Sequence, residues 1–221
     1  MSDVWIRPPL FADRSEAGRL LAGLLEEEQG GDAVVVGLAR GGVVVAAAVA
    51  RALGLPLDAV AVRKVGHPWQ PEYAIGAVAP GDGAYVRAQD GLTDEQLAAA
   101  VEAAKEKAAA LDLRLHADRP AVDLTGRPCL LVDDGLATGA TMIAAVRWAR
   151  SRGAARVVAA VPVGARDTAN RLRREADAVV CPHELDAFLA VGAWYEVFGQ
   201  VEDGEVARLL AETRPLEVPA A

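Results

Sequence analysis

The sequence predicts an α/β protein in which a parallel sheet is flanked by helices. Short apolar runs rich in valine alternate with helical segments along the chain. The runs are continuously apolar, which is typical of strands that are covered on both faces. The order strand, helix, strand favours right-handed parallel βαβ units.

The boundaries of these elements follow from the apolar runs and from glycine. Buried strands are predicted at residues 33–38, 57–62, 129–132 and 157–163. Helices are predicted at residues 16–28, 43–53 and 138–152, each followed by a glycine that suits a helix C-cap. A capping box at Thr93–Gln96 opens a further helix, which we expect to run to about His116.

The segment between the second strand and this long helix has turn signals. Pro80–Gly83 is a strong turn sequence, and it predicts a hairpin between Ala74–Val78 and Ala84–Val86. Gly66–Glu72 contains two prolines, a glycine and polar residues, and we expect a mobile loop there. No Pro/Ser-rich linker divides residues 1–221, which predicts a single domain with appendages at both ends.

Composition limits the classes of function. The net charge of -8 and the pI near 5.0 argue against a broad nucleic-acid-binding face, but allow a small cluster of cations around one anion. The apolar runs are shorter than the roughly 18 residues of a membrane span, and Met1–Pro9 lacks the apolar region of a signal peptide. Cys129 and Cys181 are expected to be core residues in a reducing cytoplasm.

Unusual residues follow three of the predicted strands. In open α/β sheets, ligands bind beyond the carboxyl ends of the strands. Arg40, Gly41 and Gly42 follow the first strand; glycines allow close backbone approach, although a plain strand-to-helix turn would have the same sequence. Arg63 and Lys64 are predicted to end the second strand, where two cations require either an anion or solvent.

The third strand end is the stretch LLVDDGLATGATM, residues 130–142. Asp133 and Asp134 can accept hydrogen bonds from the vicinal hydroxyls of a ribose, or hold the waters of a magnesium ion. The Thr/Gly/Ala run that follows opens a helix, whose first amides and threonine hydroxyls suit a phosphate. A sugar phosphate offers both kinds of surface. A strand-end Asp pair also occurs in phosphoryl-accepting proteins, and Thr141 could be a simple capping residue.

This stretch resembles the 5-phosphoribosyl 1-pyrophosphate (PRPP) motif of type I phosphoribosyltransferases. LARGG (residues 38–42) looks like the pyrophosphate loop of that family, in which one peptide is often cis. RKVGHPWQPEYAIGAV (residues 63–78) looks like its basic strand end and flexible active-site loop. Residues 188–206 are similar to a bacterial subgroup of uncharacterised phosphoribosyltransferases, so the resemblance covers about residues 8–210.

The resemblance implies a role for each matching residue. Asp133 and Asp134 would hold the ribose hydroxyls, and would hold Mg²⁺ through water, with PRPP itself as the main chelator. Arg63 and Lys64 would neutralise the leaving pyrophosphate, and the loop from Val65 to Ala74 would close over the site. The remaining PRPP-binding positions would be Arg40, Gly41, Gly42, Ala137, Thr138, Gly139, Ala140 and Thr141.

Two parts of the family pattern leave the acceptor open. Ala137 stands where 6-oxopurine enzymes of the family carry an acidic residue, which argues against hypoxanthine or guanine as the acceptor. Glu72 could be a general acid or base, or a solvated loop carboxylate. A hood formed by about residues 1–12 and 182–200 would bind the acceptor. Its candidate residues are His183, Phe188, Trp194 and Tyr195, which could stack on a base or simply pack a small subdomain.

The predicted function is transfer of the phosphoribosyl group of PRPP to a nitrogen base, with release of pyrophosphate, by a cytoplasmic and Mg²⁺-dependent enzyme. Members of the family are often dimers, so a homodimer is possible, whereas nucleic-acid and membrane partners are not expected. The alternative is a PRPP-binding or nucleotide-binding regulator on the same fold without turnover. A PRPP-forming pyrophosphokinase would normally contain this domain type twice, and 221 residues hold one.

Overall fold

The fold is built from six α-helices and ten strands in the part of the chain that the computed structural model describes, residues 8–87, 91–117 and 119–213. The strands are β1 (Val34–Leu38), β2 (Leu57–Val60), β3 (Arg63–His67), β4 (Gln70–Val78), β5 (Ala84–Val86), β6 (Pro128–Val132), β7 (Arg156–Ala160), β8 (Val163–Ala165), β9 (Ala178–Val180) and β10 (His183–Leu185). The helices are α1 (Arg14–Gly23), α2 (Gly41–Leu53), α3 (Asp94–Leu115), α4 (Ala140–Ser151), α5 (Arg166–Leu172) and α6 (Asp203–Glu212).

The central sheet has five parallel strands in the order β2-β1-β6-β7-β9. Successive strand residues face opposite sides, so that Val35 and Leu130 lie in one apolar core and Val34 and Leu131 in the other. Helices α1, α2 and α6 cover the first face, and α4 and α5 cover the second. The predicted α/β class, a parallel sheet flanked by helices, is confirmed.

A second sheet projects from the connection between β2 and α3. Strands β3, β4 and β5 are antiparallel, and they pack between α3 and α4. They contribute to a small apolar cluster with α3 and to the larger core that α4 covers. Strands β4 and β5 form the hairpin that the turn sequence Pro80–Gly83 predicts. The prediction of an irregular loop at Gly66–Glu72 is wrong. These residues belong to the extended strands β3 and β4 and to the tight turn that joins them. An irregularity in the pairing, between Val65 and His67, leaves Pro71 without a ladder partner.

Two predicted strands are too long for structural reasons. The strand predicted at residues 57–62 ends at Val60, because β2 is an edge strand and pairs only with β1, which ends at Leu38. The strand predicted at residues 157–163 ends at Ala160. Pro162 has no N–H to donate, and the chain resumes pairing only in β8, which joins β10 in a separate two-stranded sheet.

Helix limits also differ from the predictions in places. Helix α1 ends at Gly23 and is followed by a short 3₁₀ turn at Glu26–Glu28, where three carboxylates would oppose the negative end of a continued helix. Helix α4 begins at Ala140 because Gly139 has a φ of 76°, outside the helical range. Helix α2 is followed by Gly54 with a φ of 68°, and the capping box of α3 is present as predicted.

Residues near both ends of the described chain meet beside β8. Phe11 and Tyr195 form an isolated bridge and pack with Ala17, Val163 and Trp194. We call residues 183–199, together with Phe11, the hood segment. Residues 1–7, which were also expected to contribute, lie outside the described residues. The role of the hood segment in binding an acceptor remains a prediction.

A buried ion-pair network lies at the edge strand β2. Asp58, on β2, is 2% exposed and accepts hydrogen bonds from His116 Nε2 at 3.0 Å and from Arg119 Nη2 at 3.3 Å. Hydrogen bonds to Asp112 and Asp58 raise the pKa of His116 to about 10. The network joins β2 to the C-terminal end of α3 and contributes to stability rather than to the strand-end site.

Candidate functional site

The connections after β1 and β6 lie against each other at the carboxyl edge of the sheet. Strand β1 is paired with β6, so the two connections leave the sheet side by side. A Cβ atom added to Gly42 would lie 2.7 Å from the carbonyl oxygen of Val132 and 2.8 Å from Asp133 Oδ1. Only glycine allows the backbone to approach so closely. The structure therefore brings the predicted pyrophosphate loop and the predicted acid pair together.

The connection before α4 has the form of an anion-binding loop. Gly139 is the N-cap of α4 in the left-handed conformation, and the unpaired amides of the first helical turn follow it. Ala137 and Thr138 are exposed, Gly139 and Ala140 are buried, and Thr141 is half-buried. These five residues are the predicted phosphate-binding positions, and they form one continuous loop around the helix N-terminus.

Helix α5 fixes the orientation of this loop. Thr168 Oγ1 donates a hydrogen bond to the carbonyl oxygen of Ala137 at 2.8 Å, and Arg171 Nη2 donates to that of Thr138 at 2.9 Å. The N–H and C=O groups of a trans peptide point in opposite directions. The amides of Thr138 and Gly139 are therefore directed away from α5, where a phosphate can receive them. No sequence signal indicates Thr168 or Arg171, because 31 and 33 residues separate them from their partners in the loop.

The two acids differ in their surroundings. Asp133 Oδ1 accepts a hydrogen bond from the Asp134 amide at 2.9 Å. Desolvation, followed by the charge of Asp134, raises the pKa of Asp133 well above its usual value. Asp133 therefore holds a proton more readily than a solvated carboxylate would.

Asp134 is tied to a residue that the sequence analysis missed. Its Oδ2 atom lies 2.8 Å from Nε of Arg14, in an ion pair whose side chains are 15% and 11% exposed. The Arg14 guanidinium also donates to the Gly199 carbonyl oxygen at 3.0 Å and stacks over the Phe198 ring at 3.8 Å. A separation of 120 residues along the chain gives no sequence signal for this pair.

The predicted acceptor residues lie in the hood segment. Tyr195 is buried, and its hydroxyl donates to the carbonyl oxygen of Asp134 at 2.6 Å; burial, followed by the charge of Asp134, raises its pKa. Trp194 is also buried and stacks with Phe188 at 6.2 Å between ring centroids. His183 contacts Phe11 edge-on at 5.7 Å. These side chains contact one another, as expected for packing of a small subdomain, and contact with an acceptor remains a prediction.

Arg40 and Arg63 belong to one charged cluster. The Ala39–Arg40 peptide is cis, and the Arg40 side chain lies 3.6 Å from Asp203, at the start of α6. Burial, the charge of Arg40 and the charge of Arg114 lower the pKa of Arg63, whereas Asp203 opposes this shift. The cluster therefore has three arginines against the carboxylates of Asp203 and Glu202. It adjoins Gly41 and Gly42, which with Arg40 are called the glycine loop. Asp203 and Arg114 lie far from Arg63 in the sequence, and no local signal indicates them.

Lys64 does not share the environment of Arg63. The predicted end of the second strand at these two cations is wrong, since both residues open β3. Arg63 pairs with Val78, which packs toward α3, and Lys64 pairs with Ala77, which packs toward α4. Lys64 lines a cavity with Gln96 and Lys107 of α3, whereas Arg63 lies near Arg40 and Arg114. Lys64 is exposed, and so is the side chain of Glu72 on the neighbouring strand β4.

The two carboxylates of the acid pair could hold Mg²⁺ only together with water and a bound phosphate ligand. Within the described residues, no group of three or more His, Cys, Asp or Glu side chains could hold a metal ion. Mg²⁺ is commonly bound by one or two carboxylates together with water and substrate phosphates. Asp133 and Asp134 fit that arrangement, and they do not form a cage for the ion by themselves.

The fold and the site together define a protein of the α/β class in which a glycine-capped helix N-terminus adjoins a pair of aspartates at one sheet edge. Comparison with known families gives a match to the phosphoribosyl transferase domain over residues 13–196. The chain belongs to this phosphoribosyl transferase domain family.

Individual relatives agree with this assignment. The chain is 42% identical to the TT1426 protein of Thermus thermophilus, whose crystal structure matches with a TM-score of 0.78 over 92% of this chain and 99% of that one. It is 45% identical to a Mycobacterium tuberculosis H37Rv protein with the provisional name phosphoribosyl transferase, over 91% of this chain. A shorter match, 38% identical and covering 33% of this chain and 34% of the relative, is to a uracil phosphoribosyltransferase of a Nocardioides species.

The chain spans about half the length of the curated Mycobacterium relatives, since the match covers 46% of them. Among the helices in the described ranges, none has both the length and the apolar character required to cross a membrane.

Proposed function

We propose that this protein transfers the phosphoribosyl group of PRPP to a nitrogen base and releases pyrophosphate. The observation that carries the proposal is the meeting of a diacid and an anion-binding helix N-terminus at one sheet edge, against a glycine loop. Gly42 approaches Asp133 so closely that a Cβ atom would lie 2.8 Å from its carboxylate. A pentose phosphate with a pyrophosphate at C1 presents matching groups to all three parts.

Each part of the site has a chemical task in this reaction. Asp133 and Asp134 accept hydrogen bonds from the ribose hydroxyls, and the loop at residues 137–141 donates amides and hydroxyls to the 5′-phosphate. The Arg40–Gly42 loop receives the pyrophosphate. When Mg²⁺ is bound, it supplies charge neutralisation for the pyrophosphate, with the two aspartates holding its water ligands.

Bond breaking at C1 passes through an oxocarbenium-like state, in which negative charge grows on the pyrophosphate. Cations and amides that are already fixed around the leaving group stabilise that charge. Arg63 lies in the cationic cluster beside Arg40, and the β3–β4 hairpin carries Lys64 and Glu72. Closure of this hairpin over the site would exclude water, which would otherwise capture the cationic carbon.

The acceptor is proposed only as a class. Ala137 offers no carboxylate for the ring of a 6-oxopurine, which favours other bases. The short match to a uracil phosphoribosyltransferase makes uracil a sensible first compound in a panel of purines, pyrimidines and other amines.

The test is release of pyrophosphate from PRPP and Mg²⁺ with each compound of that panel. We expect release with one class of base, and loss of release in the double variant Asp133→Asn, Asp134→Asn. If PRPP raises the melting temperature but no compound of the panel supports release, a PRPP-binding regulator replaces the enzyme. If PRPP neither binds nor reacts, the proposed function is wrong.

A further inference from the structure

We propose that Arg14 is a positioning residue, which holds the Asp134 carboxylate in the orientation that receives a ribose hydroxyl. This inference rests on the proposed function of the acid pair. Arg14 lies at the start of α1, outside every segment that resembles a phosphoribosyltransferase motif. It acts through Asp134 and is not assigned a contact with the substrate.

The contacts of Arg14 fix both the position and the direction of its guanidinium. Nε donates to Asp134 Oδ2 at 2.8 Å, and Nη1 donates to the Gly199 carbonyl oxygen at 3.0 Å. The flat face of the group lies 3.8 Å above the centre of the Phe198 ring. With two donors engaged and one face stacked, the guanidinium cannot turn without losing several interactions.

This arrangement leaves a defined part of the acid pair for a ligand. Arg14 occupies Oδ2 of Asp134, and the amide of Asp134 occupies Oδ1 of Asp133. The carboxyl groups of Asp133 and Asp134 also share a side-chain hydrogen bond. Two neighbouring hydroxyls of a ligand can replace it, each donating to one carboxylate. A pair of vicinal hydroxyls is the chemical group that such a pair of oxygens fits.

Asp134 would not keep this orientation without its partner. Removing one partner of a largely buried ion pair leaves an uncompensated charge, which turns toward water. Lysine could supply the charge but not the planar stack on Phe198 or the second directed donor to Gly199. We therefore expect Arg14→Lys to restore only part of what Arg14→Gln removes.

The experiment compares sugar phosphates that differ in a single hydroxyl. Ribose 5-phosphate, 2-deoxyribose 5-phosphate and 3-deoxyribose 5-phosphate are titrated calorimetrically into the full chain and into Arg14→Gln, Arg14→Lys and Arg19→Ala. Arg19 is an exposed arginine on the same helix and serves as the matched control. Inorganic pyrophosphate, which has no hydroxyls on carbon, serves as the control ligand.

The expected result is a selective loss of hydroxyl recognition. Arg14→Gln should bind ribose 5-phosphate roughly tenfold more weakly, as expected for a lost charge-assisted hydrogen bond, and should bind at least one deoxy sugar as well as the parent does. The affinity of Arg14→Lys for ribose 5-phosphate should lie between those of the parent and Arg14→Gln. The affinity of Arg19→Ala should equal that of the parent. If Arg14 had only a structural role, Arg14→Gln would weaken the binding of all three sugars and of pyrophosphate to the same extent.

Three outcomes would overturn the inference in distinguishable ways. If the parent binds all three sugars equally, the acid pair does not read hydroxyls, and the proposed function fails together with the role of Arg14. If the parent discriminates and Arg14→Gln discriminates equally well, only the role of Arg14 fails. If Arg14→Gln does not fold, Arg14→Lys decides by the same comparison, and unchanged discrimination in that variant counts against the inference.

Discussion

Replacement of Gly41 by alanine tests whether the acid pair depends on open space beside the glycine loop. A Cβ atom at this position would overlap the carboxylate of Asp134 and lie 3.1 Å from Arg14 Nε. The carboxylate would have to leave its 2.8 Å contact with Arg14. Hydrogen bonds to charged groups contribute about 1.5–3 kcal/mol, and a factor of ten in affinity corresponds to about 1.4 kcal/mol. We therefore expect PRPP to bind about ten- to hundredfold more weakly to Gly41→Ala.

The same substitution should have a smaller effect on stability. Overpacking costs about 1–3 kcal/mol, and alanine in place of glycine in a helix returns about 0.5–1 kcal/mol. The net cost of up to about 2.5 kcal/mol would lower the melting temperature by several degrees at about 2–4 °C per kcal/mol. Gly23→Ala is the matched control, because it is also helical and a Cβ atom there would meet nothing within 4 Å.

Calorimetric titration with PRPP and thermal unfolding followed by circular dichroism separate the two effects. We expect Gly23→Ala to bind PRPP like the parent and to melt at the same or a slightly higher temperature. PRPP affinity within about twofold of the parent in a folded Gly41→Ala would refute the reasoning, since it would show that displacement of Asp134 does not matter for the ligand.

Three further predictions concern single residues. Thr168→Val removes the hydroxyl that holds the Ala137 carbonyl oxygen at 2.8 Å, and we expect calorimetry to show roughly two- to tenfold weaker binding of ribose 5-phosphate, with pyrophosphate binding unchanged. His116, whose pKa is raised from 6.5 to about 10, contributes stability that is fully present below pH 6.5 and lost as the pH rises through about 10. In urea unfolding, the free energy of unfolding of His116→Gln should therefore decrease less than that of the parent as the pH rises from 6.5 to about 10. Lys64→Ala should lower kcat more than it raises KM for PRPP, and an unchanged kcat with a raised KM would count against a role for Lys64 in the transition state.

The central elements could be predicted because their residues act locally. The valine-rich run of β1 and the apolar run of β6 are buried on both faces, so continuous apolarity identifies them directly. Gly54 ends α2 in the left-handed conformation, and Thr93 caps α3 through its own neighbour Gln96. Such signals lie within a few residues of the element that they define.

Boundaries that depend on a distant partner could not be predicted in this way. The end of β2 at Val60 is set by the end of β1, and β3 is extended because its register with β4 outweighs the turn-forming character of Gly66, Pro68 and Pro71. The same limit applies to the site. The acid pair and the anion-binding loop are contiguous in sequence, whereas Thr168 and Arg171 reach that loop only in the folded chain.

Asp134 is the residue at which the strand-end site and the hood segment meet. Arg14 donates a hydrogen bond to its carboxylate, and the Tyr195 hydroxyl donates one to its backbone carbonyl oxygen. The Phe198 ring stacks on the Arg14 guanidinium. These three residues come from opposite ends of the described chain, and none belongs to the motif that contains Asp134. If the hood segment binds the acceptor, as proposed, a change in it that admits a different acceptor must either preserve their contacts or alter the orientation of Asp134. On the proposed function, acceptor selection and ribose binding would therefore be physically coupled through Asp134.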